Sequence, residues 1–258
     1  MFTKTLVIGS ALALSMMFTL PAWSGNGPGN GNDRQPMADS ADCVAGLPYE
    51  DVSEAEIAGL RHMREEEKLA RDIYMAFNDL WGHWTFANIM RSEQTHMEKV
   101  GQLLVKYQIP DPITVDTPGV FSDETLRSLY VTLLEKGKVS LIEALRVGAT
   151  IEDLDIFDLK RELILADNED IKTVYQNLMK GSRNHLRAFV YQLSLPGEVY
   201  VPQYLTRDEL QAIVAAAPER GPVDENGSPI DAGDRTGSKM RDRINIENAD
   251  ADCVVGDD

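Results

Sequence analysis

Cysteine, aromatic residues and positive charge are all scarce in this chain, and each shortage closes off a class of protein. Two cysteines in 258 residues can neither staple a disulfide scaffold nor build a Cys-rich metal site. Lys and Arg number 25 against 42 Asp and Glu, a formal charge of −17. No local basic cluster compensates, so phosphate neutralisation has no footing and nucleic acid is excluded as a partner. Beyond residue 20 no apolar run approaches the roughly 20 residues that cross a bilayer. Strand-like alternation of useful length is missing as well. What is present is an ordinary apolar share of 43 %, which excludes disorder throughout, and an apolar period that is helical almost everywhere. The expected fold class is all-α.

The two ends read differently from the middle. Residues 1–24 have the form of a secretory signal peptide: Lys4 is the only charge, Leu6 to Leu20 is apolar, and Ala22-Trp23-Ser24 precedes Gly25 as a cleavage site. This places the mature protein in the periplasm or outside the cell, with no stable membrane insertion after cleavage. Residues 25–51 form a flexible Gly/Asn-rich segment, 52–217 the helical domain, and 218–258 an acidic Gly/Asp-rich tail that is at most loosely docked. Cys43 and Cys253 lie one in each end. In an oxidising compartment they read as a disulfide closing about 210 residues, with loop-closure arithmetic allowing it about 5 kcal/mol at most.

Start and stop signals divide the middle. Ser53-Glu-Ala-Glu56 is a capping box for a helix to about Asp79, broken by Gly82. Thr85 caps a second helix to about Tyr107, and Ile109-Pro-Asp-Pro-Ile113 stops it. Ser122 opens a short helix closed by Gly137, and Ser140-Leu-Ile-Glu143 is a capping box for a long helix to about Ala166. A further long helix spans about Glu169 to Leu195, and Thr206-Arg-Asp-Glu209 caps a last short one. Short connections near Gly82 and Asn168 predict two antiparallel hairpins, joined by one long crossover that contains a short helix. This is the connectivity of a ferritin-like four-helix bundle.

Depth along the hairpins brings polar residues together. Glu67 lies 15 residues before Gly82 and His96 lies 14 after it, while Glu152 lies 16 before Asn168 and His185 lies 17 after it. Glu93-x-x-His96 puts a second carboxylate one turn from the first imidazole. At 1.5 Å per residue the Glu152–His185 pair stands about 22 to 25 Å from its turn, close to the depth of Glu67 and His96, and Glu93, one turn from His96, joins them at one level of the bundle. Carboxylates with imidazoles are ligands for iron, with manganese and zinc as other metals that such a set suits.

Four segments, Glu67-Lys-Leu-Ala-Arg-Asp-Ile-Tyr74, Glu93-Gln-Thr-His96, Gly148-Ala-Thr-Ile-Glu152-Asp-Leu-Asp155-Ile and Gly181-Ser-Arg-Asn-His185-Leu-Arg-Ala-Phe189, together resemble the ferritin-like proteins grouped as domain-of-unknown-function family 2202. The resemblance covers residues 52–195. It implies a four-helix bundle with a dimetal centre, iron first of all, open to dioxygen or peroxide. Glu67 followed by Tyr74 also resembles the first metal helix of bacterioferritins and related di-iron oxidases. One departure stands out: Ser182-x-x-His185 replaces the Glu-x-x-His of a full fourth helix. Asp155, one turn from Glu152, is the secondary ligand that could substitute.

Simpler readings apply to several residues. Glu65, Glu66 and Glu67 form a charge run, of which at least two should face solvent, and Glu66 remains an alternative to Glu67 as ligand. Asp158 and Glu162 are further candidates to supply the missing carboxylate, although both are expected rather to face solvent. His62 and His83 are not assigned to metal, and Met63, Met75, Met90, Met97 and Met179 are read as core filling. Tyr74 is the candidate for a hydrogen-bonding or redox role beside the metal. The expected function is an extracytoplasmic metal protein with ferroxidase-like or peroxide-consuming activity, and the reading allows a homo-oligomer. The competing function is a non-catalytic metal-binding or structural helical module with a vestigial site that acts through a partner.

Overall fold

A computed structural model describes residues 47–230. The signal segment 1–24, the pairing of Cys43 with Cys253, and the far part of the acidic tail lie outside the described residues. Within them the chain is all-helical: α1 (Glu54–Trp81), α2 (Trp84–Lys106), α3 (Glu124–Gly137), α4 (Leu141–Leu165), α5 (Glu169–Ser194) and α6 (Arg207–Ala215). The one β feature there is an isolated antiparallel bridge between Val223 and Pro229. No helix among the described residues is long and apolar enough to cross a membrane.

The helix ends show which local signals act. Ser53 and Glu56 form the full capping box of α1: Glu56 N–H donates to Ser53 Oγ (3.2 Å) and Ser53 N–H to Glu56 Oε2 (2.9 Å). Gly82, at φ +60°, takes the left-handed conformation that ends the helix. Two starts differ from the expected ones. His83, not Thr85, is the N-cap of α2, with Nδ1 accepting from Thr85 N–H at 3.4 Å. Asp123, not Ser122, caps α3, because the Ser122 hydroxyl is taken by Glu65. At α4 only half of the expected box forms. Ser140 accepts from Glu143 N–H (3.1 Å), while the Glu143 carboxylate turns to Arg146.

α1 packs along α2 and α4 along α5, and the two pairs meet through α1 against α4 and α2 against α5. Connections as short as Gly82-His83 and Ala166-Asp167-Asn168 force each pair to run antiparallel. Leu60, Met63, Ile73, Phe77, Val100, Leu103, Ile156, Leu159, Phe189 and Leu193 fill the space between the pairs. Met63 and Met179 are buried there and Met97 is buried as well, whereas Met75 is exposed. Polar ties hold the pairs in register. Glu56 Oε1 accepts the N–H groups of Asp167 (3.0 Å) and Asn168 (3.1 Å) at the opposite turn, and Tyr107 at the end of α2 donates to Asp170 on α5 (2.9 Å).

The crossover between α2 and α4 is strapped to α1 by charge. Lys68 donates to Thr117 O (2.8 Å), Gly119 N–H to Asp72 (3.0 Å), Arg71 to Asp116 (2.9 Å) and Arg64 to Asp111 (2.9 Å). Pro218 to Ile230, expected within the loose tail, lie against α5. There Glu219 receives Arg183 (2.8 Å) and Arg187 (2.9 Å), and Asn177 pairs with Val223.

Candidate metal centre

The interior contains a layer of acids and imidazoles. Glu67 comes from α1, Glu93 and His96 from α2, Glu152 and Asp155 from α4, and Ser182 and His185 from α5. All are buried. Glu93 sits in the middle: its Oε2 is 2.8 Å from His96 Nδ1 and its Oε1 is 2.9 Å from His185 Nδ1. On the outer sides, Glu67 Oε2 is 3.3 Å from His96 Nδ1 and Glu152 Oε2 is 3.5 Å from His185 Nδ1. The imidazole rings lie face to face, 5.6 Å between centroids. Two three-residue groupings able to hold a metal ion result, Glu67–Glu93–His96 and Glu93–Glu152–His185, with Glu93 common to both.

Asp155 belongs to neither grouping. It lies beside them, hydrogen-bonded to Ser182, which occupies the place of the expected fourth-helix glutamate. Tyr74 donates to Glu152 Oε1 (2.5 Å) and approaches Gly148 O (3.3 Å), which aims the other carboxylate oxygen at His185. Tyr74, Phe86 and Phe189 pack with ring centroids 5.3 to 6.2 Å apart and close the Gly82 side of the layer with apolar surface.

Two glycines make the arrangement sterically feasible, and neither drew a role from the sequence. A Cβ on Gly181 would stand 2.5 Å from His96 Cε1, and one on Gly148 would stand 2.5 Å from the Phe189 ring. Bare backbone on α5 therefore lets the Cε1–Nε2 edge of the His96 ring approach that helix, with Nδ1 toward the carboxylates. Both glycines stand inside the segments quoted above, and an isolated Gly in a strong helical pattern is the signal that could have marked them.

Electrostatics separates the carboxylates. Burial pushes Glu67 up to about 8 and Glu152 to about 7, the neighbouring charge of Glu93 adding to both and the imidazoles opposing. For Glu93 burial acts upward too, yet His185 and His96 outweigh it and hold the carboxyl far below its ordinary range. Burial lowers the basicity of His185, but Glu93 and Glu152 reverse this and bring it to about 10. His96 is raised in the same way by Glu67 and Glu93. Burial and the nearby Glu152 and Glu93 raise Tyr74, keeping it a neutral phenol that donates.

These residues fit a metal. Glu67 Oε1, Glu93 Oε1, Asp155 Oδ1, His96 Nδ1 and His185 Nδ1 are buried without an aligned hydrogen-bond partner. Orphaned buried polar atoms are rare and costly, and a cation among them satisfies several at once. Cation binding at these nitrogens and oxygens displaces protons.

The sequence left the Glu65–Glu67 run unresolved, and the structure corrects the expectation that two of the three face solvent. All three are buried, each for a separate reason. Glu67 faces His96. Glu65 accepts from Ser122 Oγ (2.8 Å) and Asp123 N–H (3.1 Å), because the crossover folds over it. Glu66 faces His62 and α4. Asp158 and Glu162, also expected outside, are 6 % exposed each, since α4 turns that side toward α1.

Fold and site thus define an all-helical protein with buried carboxylate–imidazole clusters able to hold metal. The family profile described as "Uncharacterized protein domain (DUF2202)" matches residues 56–217, and the chain belongs to that family. It is similar to uncharacterized protein MJ0754 of Methanocaldococcus jannaschii, 53 % identical over 178 residues, covering 69 % of this chain and 96 % of that protein. A crystal structure of hypothetical protein MJ0754 from Methanococcus jannaschii aligns with a TM-score of 0.66 at 54 % identity, over 67 % of this chain and 99 % of the other.

Proposed function

We propose that this chain is a ferritin-like four-helix-bundle protein whose interior holds two first-row metal ions, iron foremost, through Glu67, Glu93, His96, Glu152 and His185. The observation that carries the reading is the placement of Glu93, with one carboxylate oxygen toward each imidazole and a further carboxylate outside each. A carboxylate in that position suits a bridge between two cations. Three carboxylates offset most of the charge of two divalent ions, which favours their oxidised form. Iron held there supplies one-electron exchange with dioxygen or peroxide, so the reaction class is ferroxidase-like or peroxide-consuming.

The remaining parts belong to the chain itself. Glu67 and Glu152 surrender protons as cations arrive. Tyr74 keeps Glu152 oriented, and the aromatic cluster excludes water from one side. Working outside the cytoplasm, on the strength of the signal-like residues 1–24, is part of the proposal. Manganese in the same ligands keeps redox chemistry, and zinc is the variant without it. The engagement of Asp155 with Ser182 favours a second reading, in which one carboxylate too few leaves a site that binds metal without turnover.

Elemental analysis of the purified full chain after ferrous loading, with ferrous oxidation followed by absorbance, separates these readings. We expect two metals per chain and oxidation that a Glu67→Ala/His185→Ala variant abolishes. Stoichiometric metal without oxidation supports the second reading, and wild-type protein that stays metal-free overturns both.

A further inference from the structure

A third cluster lies outside the centre just described. His62 and Glu66 are one turn apart on α1, and Asp158 faces them from α4. His62 Nε2 is 3.5 Å from Glu66 Oε2 and 3.9 Å from Asp158 Oδ2, and the three groups offer ligand atoms within 4.8 Å of one another. The independent sign of a ligand is Glu66. It is 2 % exposed, and neither of its carboxylate oxygens has an aligned hydrogen-bond partner. A buried carboxylate in that state is costly. An imidazolium at His62 answers part of the charge but leaves both oxygens unmet. Arg161, the nearby permanent cation, is already committed to Asp158 Oδ1 (2.7 Å) and Glu162 (3.0 Å), which leaves Asp158 Oδ2 on the His62 side.

We propose that His62, Glu66 and Asp158 form a separate mononuclear site for a divalent first-row cation such as manganese(II), ferrous iron or zinc. One imidazole with two carboxylates selects such ions over magnesium and calcium, which prefer an all-oxygen shell. The His62 side chain is 28 % exposed against 3 % for Glu66 and 9 % for Asp158. Cations therefore reach the site from solvent at the imidazole and are held by the buried carboxylates, with water completing the coordination. None of the three residues belongs to the Glu93-centred layer, so the site stands without the function proposed above.

The test is equilibrium dialysis of the full chain against manganese(II), with His62→Ala, His62→Gln and Glu93→Gln variants, and anomalous diffraction from manganese-soaked crystals. We expect both His62 variants to bind one equivalent fewer than wild type, while Glu93→Gln retains that equivalent. An anomalous peak should lie among His62 Nε2, Glu66 and Asp158. Unchanged stoichiometry in both His62 variants, or no peak there, overturns the inference. A peak at His62 with none around Glu93 upholds it and removes the dinuclear reading instead.

Discussion

Helix α1 carries two buried charged regions within eight residues, and they are built on opposite principles. In the first, Lys68, Arg71 and Asp72 satisfy one another. Asp72 accepts from Lys68, from Arg71 Nε (3.1 Å) and Nη2 (2.8 Å), and from Gly119 N–H (3.0 Å). In the second, Glu66 and Glu67 end in oxygens that meet no aligned donor. Burial and charge density are alike in the two regions. What differs is completeness, and completeness marks the first as a strap for the crossover and leaves the second with groups able to hold cations.

The sharpest way to break this comparison is mutation in both regions without metal. Asp72→Ala leaves the buried Lys68 with no counter-charge and only Thr117 O to donate to, while Arg71 keeps Asp116, and should destabilise the fold by about 3–5 kcal/mol in denaturant unfolding. Glu67→Gln replaces an acid that burial pushes up to about 8, largely neutral at pH 7, with a neutral amide. It should leave metal-free stability unchanged or higher, while metal affinity drops by more than the ~10–100-fold seen for outer-shell losses. Equal destabilisation by the two variants would sink the distinction.

Next in size is Gly181→Ala. Its Cβ would enter the His96 ring at 2.5 Å, a clash costing about 1–3 kcal/mol by overpacking. Weaker metal binding should accompany a lower melting temperature.

pH sharpens the contrast further. Glu67 and Glu152 have folded-state values raised to about 8 and about 7 from 4.5. Their stabilising contribution is present below 4.5 and is lost as pH rises through the folded values. His185, raised to about 10 from 6.5, has the same sign over a higher window. Glu93 is depressed and acts only below about 4.5, where falling pH removes its contribution. The metal-free melting temperature should therefore fall between pH 4.5 and about 8. Added metal should reverse the trend and release protons into weakly buffered solution. The smallest effect expected is that of Tyr74→Phe, which deletes one hydrogen bond to Glu152, worth about 1 kcal/mol, and lowers metal affinity only modestly.

Much of the fold was legible because helix signals are local. Ser53 with Glu56 and Thr206 with Glu209 cap as read, and Gly82 ends α1 in the conformation glycine favours. His83 and Asp123 displaced the expected caps because a tertiary partner, Glu65, claimed Ser122, and because an imidazole can accept at an N-cap as a hydroxyl does. The meeting of Glu67, Glu93, His96, Glu152 and His185 followed from counting outward from two turns, since rise per residue is constant.

The orientation of the Glu65–Glu67 run could not follow from such counting. Period alone says which side chains share a face of α1, not whether that face is covered. The sequence by itself determined where most of the helices begin, how they pair and at what depth the acids and imidazoles stand, all consequences of short-range backbone geometry. Only the tertiary structure decided that Glu65 meets the crossover, that Glu66 meets His62 and Asp158, and that Gly181 makes room for His96. Those outcomes depend on which helix lies across from each residue, and long-range packing sets that.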